Sequence, residues 1–383
     1  MTNYLYVTFI FLGLIFRIEI VTGFSRAWSL TNAMLASTHV NEADLVLSSS
    51  VTAGAELAMK ECANQFTHEV WNCPVTAFNM NTDKLENNRE TAYIHAVISA
   101  GVTHTISRNC SEGTLTHCGC EHRLAGSGAD DWKWGGCSDN LVFGEQVSKQ
   151  FLDTDKFGKQ PKSLANLHNN QAGRIAVRKT MRTLCKCHGV SGSCATQTCW
   201  RQIGDFKNVG RYLKKQYKNA AKVDFSNGIL KQLESARSPH IEMRSNAINS
   251  RDRRTSGTPD EQKIKKRKLV FLQPSPNYCT LNARLGYKGV IGRTCEVDPN
   301  SKDQTEEIRK CTNLCTACGL HVKKQVVDVI SSCNCKFEWC CNISCQTCHK
   351  KKIMITCTTT SNYNKFKDMA SSPSYSRSRN SVK

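Results

Sequence analysis

Beyond one short apolar run near its start, this 383-residue chain has no stretch long and apolar enough to cross a bilayer, which excludes a polytopic membrane protein. No lysine or arginine precedes that run, so the amino terminus supplies the only positive charge ahead of it. No period of the solenoid type recurs, which argues against a repeat array. Acidic residues are scarce, 32 against 52 Lys and Arg, leaving a formal net charge of +20. Cysteine is missing between Cys137 and Cys185, although the chain holds 22.

The apolar run, Tyr4 to Phe16 (YLYVTFIFLGLIF), is too short for a comfortable span and is followed by Arg17 and Glu19. It reads as a secretory signal peptide over residues 1–23, with Val21-Thr-Gly23 offering small residues for cleavage. An uncleaved anchor is the alternative. Secretion sets the redox context: an even number of cysteines in an oxidising compartment predicts disulfides over metal sites. The mature chain is expected in the extracellular space and matrix, where nucleic acid is excluded as a partner by compartment. The excess charge sits mainly in residues 237–268, net +6, and 350–383, net +7. Outside the cell the natural polyanion for such segments is heparan sulfate. A merely solvated linker and tail explains them equally well.

Cysteine density divides the chain. Ten cysteines precede Trp200, whereas twelve are packed between Cys279 and Cys357, which suggests a C-terminal domain held by cross-links more than by an apolar core. Before Cys185 the pattern is helical. Tyr93, Ala96, Val97 and Ala100 share one face, and Phe143, Val147 and Phe151 recur at intervals of four. Further helices are predicted over Ser163 to Leu184 and from Trp200 to about Lys222, with Phe206, Val209 and Leu213 inward. Leu269 to Leu272 and Gln325 to Ile330 read as strands, and the rest of that region as short strands and turns. The expected organisation is α+β and disulfide-rich: a helical domain over 24–236, a basic exposed linker over 237–268, a cysteine-rich domain over 269–357 and a disordered basic tail over 358–383.

The most informative string is Cys185-Lys-Cys-His-Gly-Val-Ser-Gly-Ser-Cys194-Ala-Thr-Gln-Thr-Cys199-Trp200. If Cys187 pairs with Cys194 and Cys185 with Cys199, two nested loops make a stiff hairpin with Ser191 exposed among small residues at its tip. A catalytic serine would ask for Gly-x-Ser-x-Gly, but the fifth position is Ser193 and no acid and base pair stands nearby. A zinc site is suggested by Cys185-x-Cys187-His188 and by the spacing of Cys315-x-x-Cys318 and Cys345-x-x-Cys348. Compartment favours disulfides instead. A structural loop with an incidental serine fits the cysteines as well.

The whole string closely resembles the hairpin of the Wnt family of secreted signalling proteins. The likeness continues through Ala27-Trp-Ser29, Trp71-Asn-Cys73, Arg108-Asn-Cys110, Trp134-Gly-Gly-Cys-Ser-Asp-Asn140, Asn166-Leu-His-Asn-Asn170 and Ser332-Cys-Asn-Cys-Lys-Phe-Glu-Trp-Cys-Cys341. Ala195-Thr-Gln197 and the Ala27-Trp28-Ser29 start resemble most the branch of the family numbered eight. The resemblance implies a two-domain fold likened to a hand, with a lipid-bearing thumb at Cys185 to Cys199 and a C-terminal finger. It implies a covalent palmitoleate on Ser191, added by a membrane O-acyltransferase, with no other cofactor, no metal and no enzymatic activity. The implied receptor contacts are Lys186, His188, Gly189, Val190 and Gly192 in the thumb, and Phe337, Trp339, Cys340 and Cys341 in the finger. For Phe337 and Trp339, support of a small disulfide core is the competing role. The implied partners are a Frizzled receptor, through its cysteine-rich domain, an LDL-receptor-related co-receptor leading to β-catenin signalling, and a dedicated carrier during export. The rival from another class is an unlipidated heparan-binding matrix or growth-factor-like protein.

The same resemblance implies eleven disulfides. In the first domain they are Cys62 with Cys73, Cys110 with Cys118, Cys120 with Cys137, Cys185 with Cys199 and Cys187 with Cys194. In the second they are Cys279 with Cys318, Cys295 with Cys311, Cys315 with Cys357, Cys333 with Cys348, Cys335 with Cys345 and the vicinal Cys340 with Cys341. Two features stand apart from the family pattern. Sequons occur at Asn109-Cys-Ser111 and Asn342-Ile-Ser344, and the second is expected to be skipped, because its glycan would grow from the receptor-facing finger. Arg251-Asp-Arg-Arg254 fits the pattern cut by secretory convertases, and a cut there could separate thumb from finger.

Overall fold

A computed structural model of the chain describes residues 42–75, 78, 86–121, 135–153, 160–226, 228–233, 264–283, 286–339 and 342–359. The signal peptide, the Ala27-Trp28-Ser29 start, Arg251 to Arg254, Cys340, Cys341 and the tail from residue 360 lie outside them. Among the described residues no helix is long and apolar enough to cross a membrane. Two compact units are present, Met1–Gln65 with Cys73–Ser275, and Phe66–Asn72 with Pro276–Lys383.

Among the described residues the first unit is built on five helices: α1 Glu42–Gln65, α2 Arg89–Ser111, α3 Leu141–Leu152, α4 Pro161–Thr180 and α5 Phe206–Lys218. Helix α2 packs against the other four. Tyr93, Ala96, Val97 and Ala100 are fully buried, as their shared face predicts, but so are Val102 and Ile106 on the opposite side of the helix. Small residues make this close packing feasible. A Cβ on Gly54 or Gly101 would run into the backbone of the opposite helix, and one on Gly173 into Ala96. The start of α2 is fixed by a reciprocal cap, in which Thr91 N–H donates to Asn88 Oδ1 and Asn88 N–H donates to Thr91 Oγ1, both at 3.0 Å.

Two predicted helices are shorter than their periodicity suggested. Helix α4 stops at Thr180, because Arg182–Cys187 forms strand β1 and pairs antiparallel with β2, Gln197–Gln202. Trp200 therefore lies in a strand opposite Leu184, and α5 begins only at Phe206, after Asp205 accepts a bond from Lys207 N–H. Phe206, Val209 and Leu213 are buried. After α5, β3 (Ala221–Ser226) pairs antiparallel with β4 (Ile229–Gln232) and parallel with β5 (Val270–Phe271).

Strand β5 moves the domain boundary. Composition placed it after Lys268, but the first unit runs to Ser275, because Leu269–Leu272 is held by the Asn166-Leu-His-Asn-Asn170 string. Asn169 exchanges two bonds of 2.9 Å with the backbone of Val270, His168 Nε2 donates to Lys268 O at 2.8 Å, and Asn87, bonded to Asn166, accepts from Leu272 N–H. Asn170 reaches Asp153 at 2.9 Å, and the fully buried Arg174 pairs with the same carboxylate at 2.8 Å. This string thus ties α4 to α3 on one side and to the returning chain on the other.

Buried His104 and half-buried His168 give the first unit a pH response. Nε2 of His104 donates to Gly204 O at 3.0 Å, which fixes a neutral tautomer, and burial pushes both imidazoles below the usual histidine value. The unfolded chain takes up protons from about pH 6.5 downward while the folded chain stays neutral. Their contribution is thus fully present above that pH and is lost as pH falls toward the depressed folded values. Glu61, raised by its own burial, acts in the opposite sense, so a variant is needed to isolate the histidine effect. The thermal midpoint should fall between about pH 7 and 5.5, and less so in His104→Gln, which keeps a donor for Gly204. Equal slopes in the two proteins would contradict this.

The second unit contains β6 (Thr294–Val297), α6 (Gln304–Thr316), β7 (His321–Glu338) and β8 (Asn342–Thr358), with sheet order β6-β8-β7. Helix α6 replaces the turns expected there. Cys311, Leu314 and Cys315 fall on one helical face and are all buried, a spacing masked by reading the cysteines only as cross-links. Half of the buried cluster is cysteine: Cys295, Cys311, Cys315 and Cys357 beside Val290, Val297, Leu314 and Ile355. Segment Phe66–Asn72 belongs here and not to the helical domain. Its Val70 packs on that cluster, Trp71 lies against Phe66 and Tyr278, and Arg293 donates to the carbonyls of Thr67, Glu69 and Val70.

Nine disulfides are present among the described residues. Five lie in the first unit, Cys62–Cys73, Cys110–Cys118, Cys120–Cys137, Cys185–Cys199 and Cys187–Cys194. Four lie in the second, Cys279–Cys318, Cys315–Cys357, Cys333–Cys348 and Cys335–Cys345. These bonds occupy Cys185, Cys187, Cys315, Cys318, Cys345 and Cys348 and so remove the zinc reading. One implied bond is corrected: Cys295 and Cys311 are separate buried thiols. Both sulfurs turn to His68 Nδ1, at 3.8 and 3.5 Å, and burial pushes the Cys311 thiol up to about 12, so it stays protonated at neutral pH.

Candidate functional site

The thumb is the β1–β2 ribbon of the first unit. Register places Cys185 opposite Cys199 and Cys187 opposite Gln197, and the nested disulfides close the ribbon twice, at Cα separations of 4.1 and 4.6 Å. Beyond them the backbone makes one tight turn. His188 N–H donates to Thr196 O, Gly189 N–H to Ser193 O and Gly192 N–H to Gly189 O, at 2.7, 2.8 and 2.9 Å. Gly189 is required by close approach, since a Cβ there would collide with Ser193.

Ser191 sits in the three-residue 3-10 turn Val190–Gly192 with φ 57°, the left-handed region that L residues occupy at a cost of about 1–2 kcal/mol. The strain is borne by a turn that the disulfides and the bonds around it over-determine. Ser191 is exposed, and its neighbour Val190 is 90% exposed. Lys186, His188 and Gly192 are also exposed, while Gly189 is half-buried. Among the described residues the Ser191 hydroxyl has no hydrogen-bond partner, and no histidine or carboxylate is bonded to it. That is a poor nucleophile for hydrolysis and an accessible acceptor for a modifying enzyme.

What holds the thumb in place was legible only as a family string. In Gly135 to Asn140, Gly135 N–H donates to Cys199 O and Asp139 N–H to Arg201 O, both at 3.0 Å. Arg201 N–H returns a bond to Ser138 Oγ, and Ile203 N–H one of 2.6 Å to Asp139 Oδ2. Gly136, at φ 75°, comes so near Trp200 that a Cβ added there would stand 3.3 Å from its ring. Asn140 then caps α3 by accepting from Phe143 N–H. The base of the thumb is therefore backed by an irregular segment stapled by Cys120–Cys137, and Ser138 and Asp139 are positioning residues that periodicity could not reveal.

The finger is the β7–β8 ribbon of the second unit. Strand β6 pairs only with Ile353 to Thr356, so among the described residues the outer ribbon has no third strand. A lone two-stranded ribbon is marginal in water, and here Cys333–Cys348 and Cys335–Cys345 cross-link it. Between Cys333 and Lys336 the register shifts through a bulge, with Asn334 at φ 47° and its Nδ2 bonded to Gln346 Oε1 at 3.0 Å. Past the bulge Phe337 faces Ile343, 71% and 69% exposed, and Trp339 at the turn is 95% exposed. Among the described residues these side chains line no buried core; they form an apolar tip in water, the kind of surface that marks an interaction site. Lys350, Lys351 and Lys352, from the second basic segment, lie along β8, with Lys352 paired to Glu296 at 2.6 Å.

Comparison with known proteins agrees with these features. The model of the wnt family matches residues 33–358. The chain is 44% identical to Protein Wnt-8c of Gallus gallus over 85% of this chain and 87% of that protein, and 43% identical to Protein Wnt-8b of Mus musculus over 87% and 90%. Protein Wnt-8 of Xenopus laevis is 41% identical over 87% and 88%. Among solved structures, one described as human WLS in complex with WNT8A matches at a TM-score of 0.57 and 39% identity, covering 83% of this chain and 96% of that one.

Proposed function

This chain belongs to the Wnt family, and on that premise we propose that it acts as a secreted, lipidated ligand that engages the cysteine-rich domain of a Frizzled receptor through acylated Ser191 and the apolar finger tip. Members of the family are signalling ligands and not enzymes. The relatives named above carry the branch number eight, in agreement with the reading of Ala195-Thr-Gln197.

The observation that carries the reading is Ser191 itself, an exposed hydroxyl without a hydrogen-bond partner among the described residues, at the apex of a doubly cross-linked turn. Acylation needs little more from the acceptor. Ser191 Oγ attacks the carbonyl of an acyl thioester, the new C–O bond forms as the C–S bond breaks, and the hydroxyl proton leaves with the thiol. A rigid turn then presents the chain without the entropy cost of ordering a loop. Each buried methylene contributes about 0.8 kcal/mol, so the acyl group can dominate binding. Once attached it also needs cover in water, which fits a dedicated export carrier; the solved relative is described in a complex with WLS. In the finger, Phe337, Trp339 and Ile343 supply exposed anchors of the kind that concentrate binding energy, with Cys340 and Cys341 next to them in the sequence. Recruitment of an LDL-receptor-related co-receptor and output through β-catenin belong to the same proposal. Heparan sulfate is a secondary partner, favoured by Lys350 to Lys352 on β8.

The test is binding of the secreted chain to an isolated Frizzled cysteine-rich domain before and after enzymatic hydrolysis of the oxygen ester by a carboxylesterase. Affinity should fall at least about 100-fold after cleavage, with retention on heparin unchanged. Undiminished receptor binding by the de-esterified chain would mean that the thumb binds through its peptide surface, and retention on heparin without receptor binding by either form would support the unlipidated rival.

A further inference from the structure

The sequon Asn342-Ile-Ser344 opens strand β8, immediately beyond the finger turn. Register there is continuous: Lys336 pairs with Ser344, Phe337 with Ile343 and Glu338 with Asn342. Cross-strand partners share a face and successive residues alternate, so Phe337 and Ile343 lie on one face of the ribbon and Asn342 and Ser344 on the other. Asn342 is exposed. The other sequon differs, because Asn109 is half-buried in the last turn of α2 and its Nδ2 donates to Ser50 Oγ at 2.8 Å.

We propose that Asn342 is an N-glycan acceptor whose sugar covers the polar face of the finger tip and leaves the Phe337–Ile343 face bare for the receptor. The expectation that this site is skipped rested on a clash between glycan and receptor, and strand alternation removes that clash. In the transfer step, Asn342 Nδ2 attacks the anomeric carbon of a lipid-pyrophosphate-linked oligosaccharide. An N-glycosidic bond forms, the sugar–phosphate bond breaks, the lipid pyrophosphate leaves and Nδ2 loses one proton. The product has two consequences for the finger. A hydrophilic cover restricts approach to one face, and the open backbone edges of a two-stranded ribbon beside it are shielded from pairing with a second chain. The second-face assignment rests on the receptor reading given above, whereas the glycan does not.

The experiment is mass analysis of the reduced Asn342 peptide from chain secreted by eukaryotic cells, with and without enzymatic deglycosylation. The expected peptide carries an N-acetylglucosamine-based glycan, yields aspartate at position 342 after amidase treatment, and is unmodified in Ser344→Ala. Recovery of unmodified Asn342 alone from the wild-type chain overturns the proposal. Receptor binding then tests the face. Asn342→Gln should match the glycosylated chain within about threefold, and Ile343→Asp should lose at least about tenfold. A glycosylated chain binding more than about tenfold weaker than Asn342→Gln overturns the face assignment. No binding by either form would overturn the receptor reading and leave the glycan to be decided by mass alone.

Discussion

Replacing Ser191 with alanine should weaken receptor binding by at least about 100-fold, about 2.7 kcal/mol, while leaving the melting curve of the secreted chain within about 0.5 kcal/mol of wild type. The stability half of this expectation follows from the turn. Ser191 is exposed, its hydroxyl bonds to nothing among the described residues, and alanine at φ 57° meets the same backbone cost as serine. The binding half follows from the acyl chain. Burial of a sixteen-carbon chain gives several kcal/mol even after ordering costs, and alanine has no oxygen to carry it. Retention on heparin should be unaffected, since the basic segments are elsewhere in the sequence. The check is a binding isotherm against the isolated receptor domain beside a thermal melt. Alanine at 191 with wild-type affinity would mean that the thumb binds through its peptide surface.

The second large effect concerns stability. Arg174 is buried, and its guanidinium meets both oxygens of Asp153, at 2.8 and 3.3 Å, while Asn170 adds a bond of 2.9 Å to one of them. Arg174→Met strands a largely buried carboxylate and should cost about 3–5 kcal/mol. Asp153→Leu strands the guanidinium and should cost a similar amount. The double variant should recover most of the loss, because an apolar pair of like volume needs no desolvated charge. Denaturant unfolding of all four proteins gives the cycle directly. A single variant within about 1 kcal/mol of wild type would show that water reaches this site.

The parts of the molecule that were legible in the sequence are those where local pattern and cross-linking agree. The thumb is one: nested cysteines, small residues at the tip and an exposed serine at its apex each point to the same turn. The inward faces of α2 and α5 are another, since Tyr93, Ala96, Val97, Phe206, Val209 and Leu213 are buried as their spacing requires. Prediction failed where long-range partners decide. Leu184 and Trp200 continue helical patterns, but they pair across a ribbon closed by Cys185–Cys199, and strand pairing overrides propensity. Leu269 to Leu272 reads as the start of a new domain by composition, yet two bonds from Asn169, about a hundred residues earlier, make it part of the first unit. Phe66–Asn72 was hidden by its bracketing disulfide, which belongs to the other unit. This last point also changes the expected result of a cut at Arg254. The two fragments would share no disulfide, but each unit would still contain chain from both, so cleavage alone does not separate thumb from finger.

The most direct test of the lipidated-thumb account is the mass of the reduced peptide containing Ser191, taken from the active, secreted chain. The account predicts an increment equal to one monounsaturated sixteen-carbon acyl group, bound as an ester and localised to the Ser191 oxygen. An unmodified serine on chain that still binds and activates the receptor would contradict it.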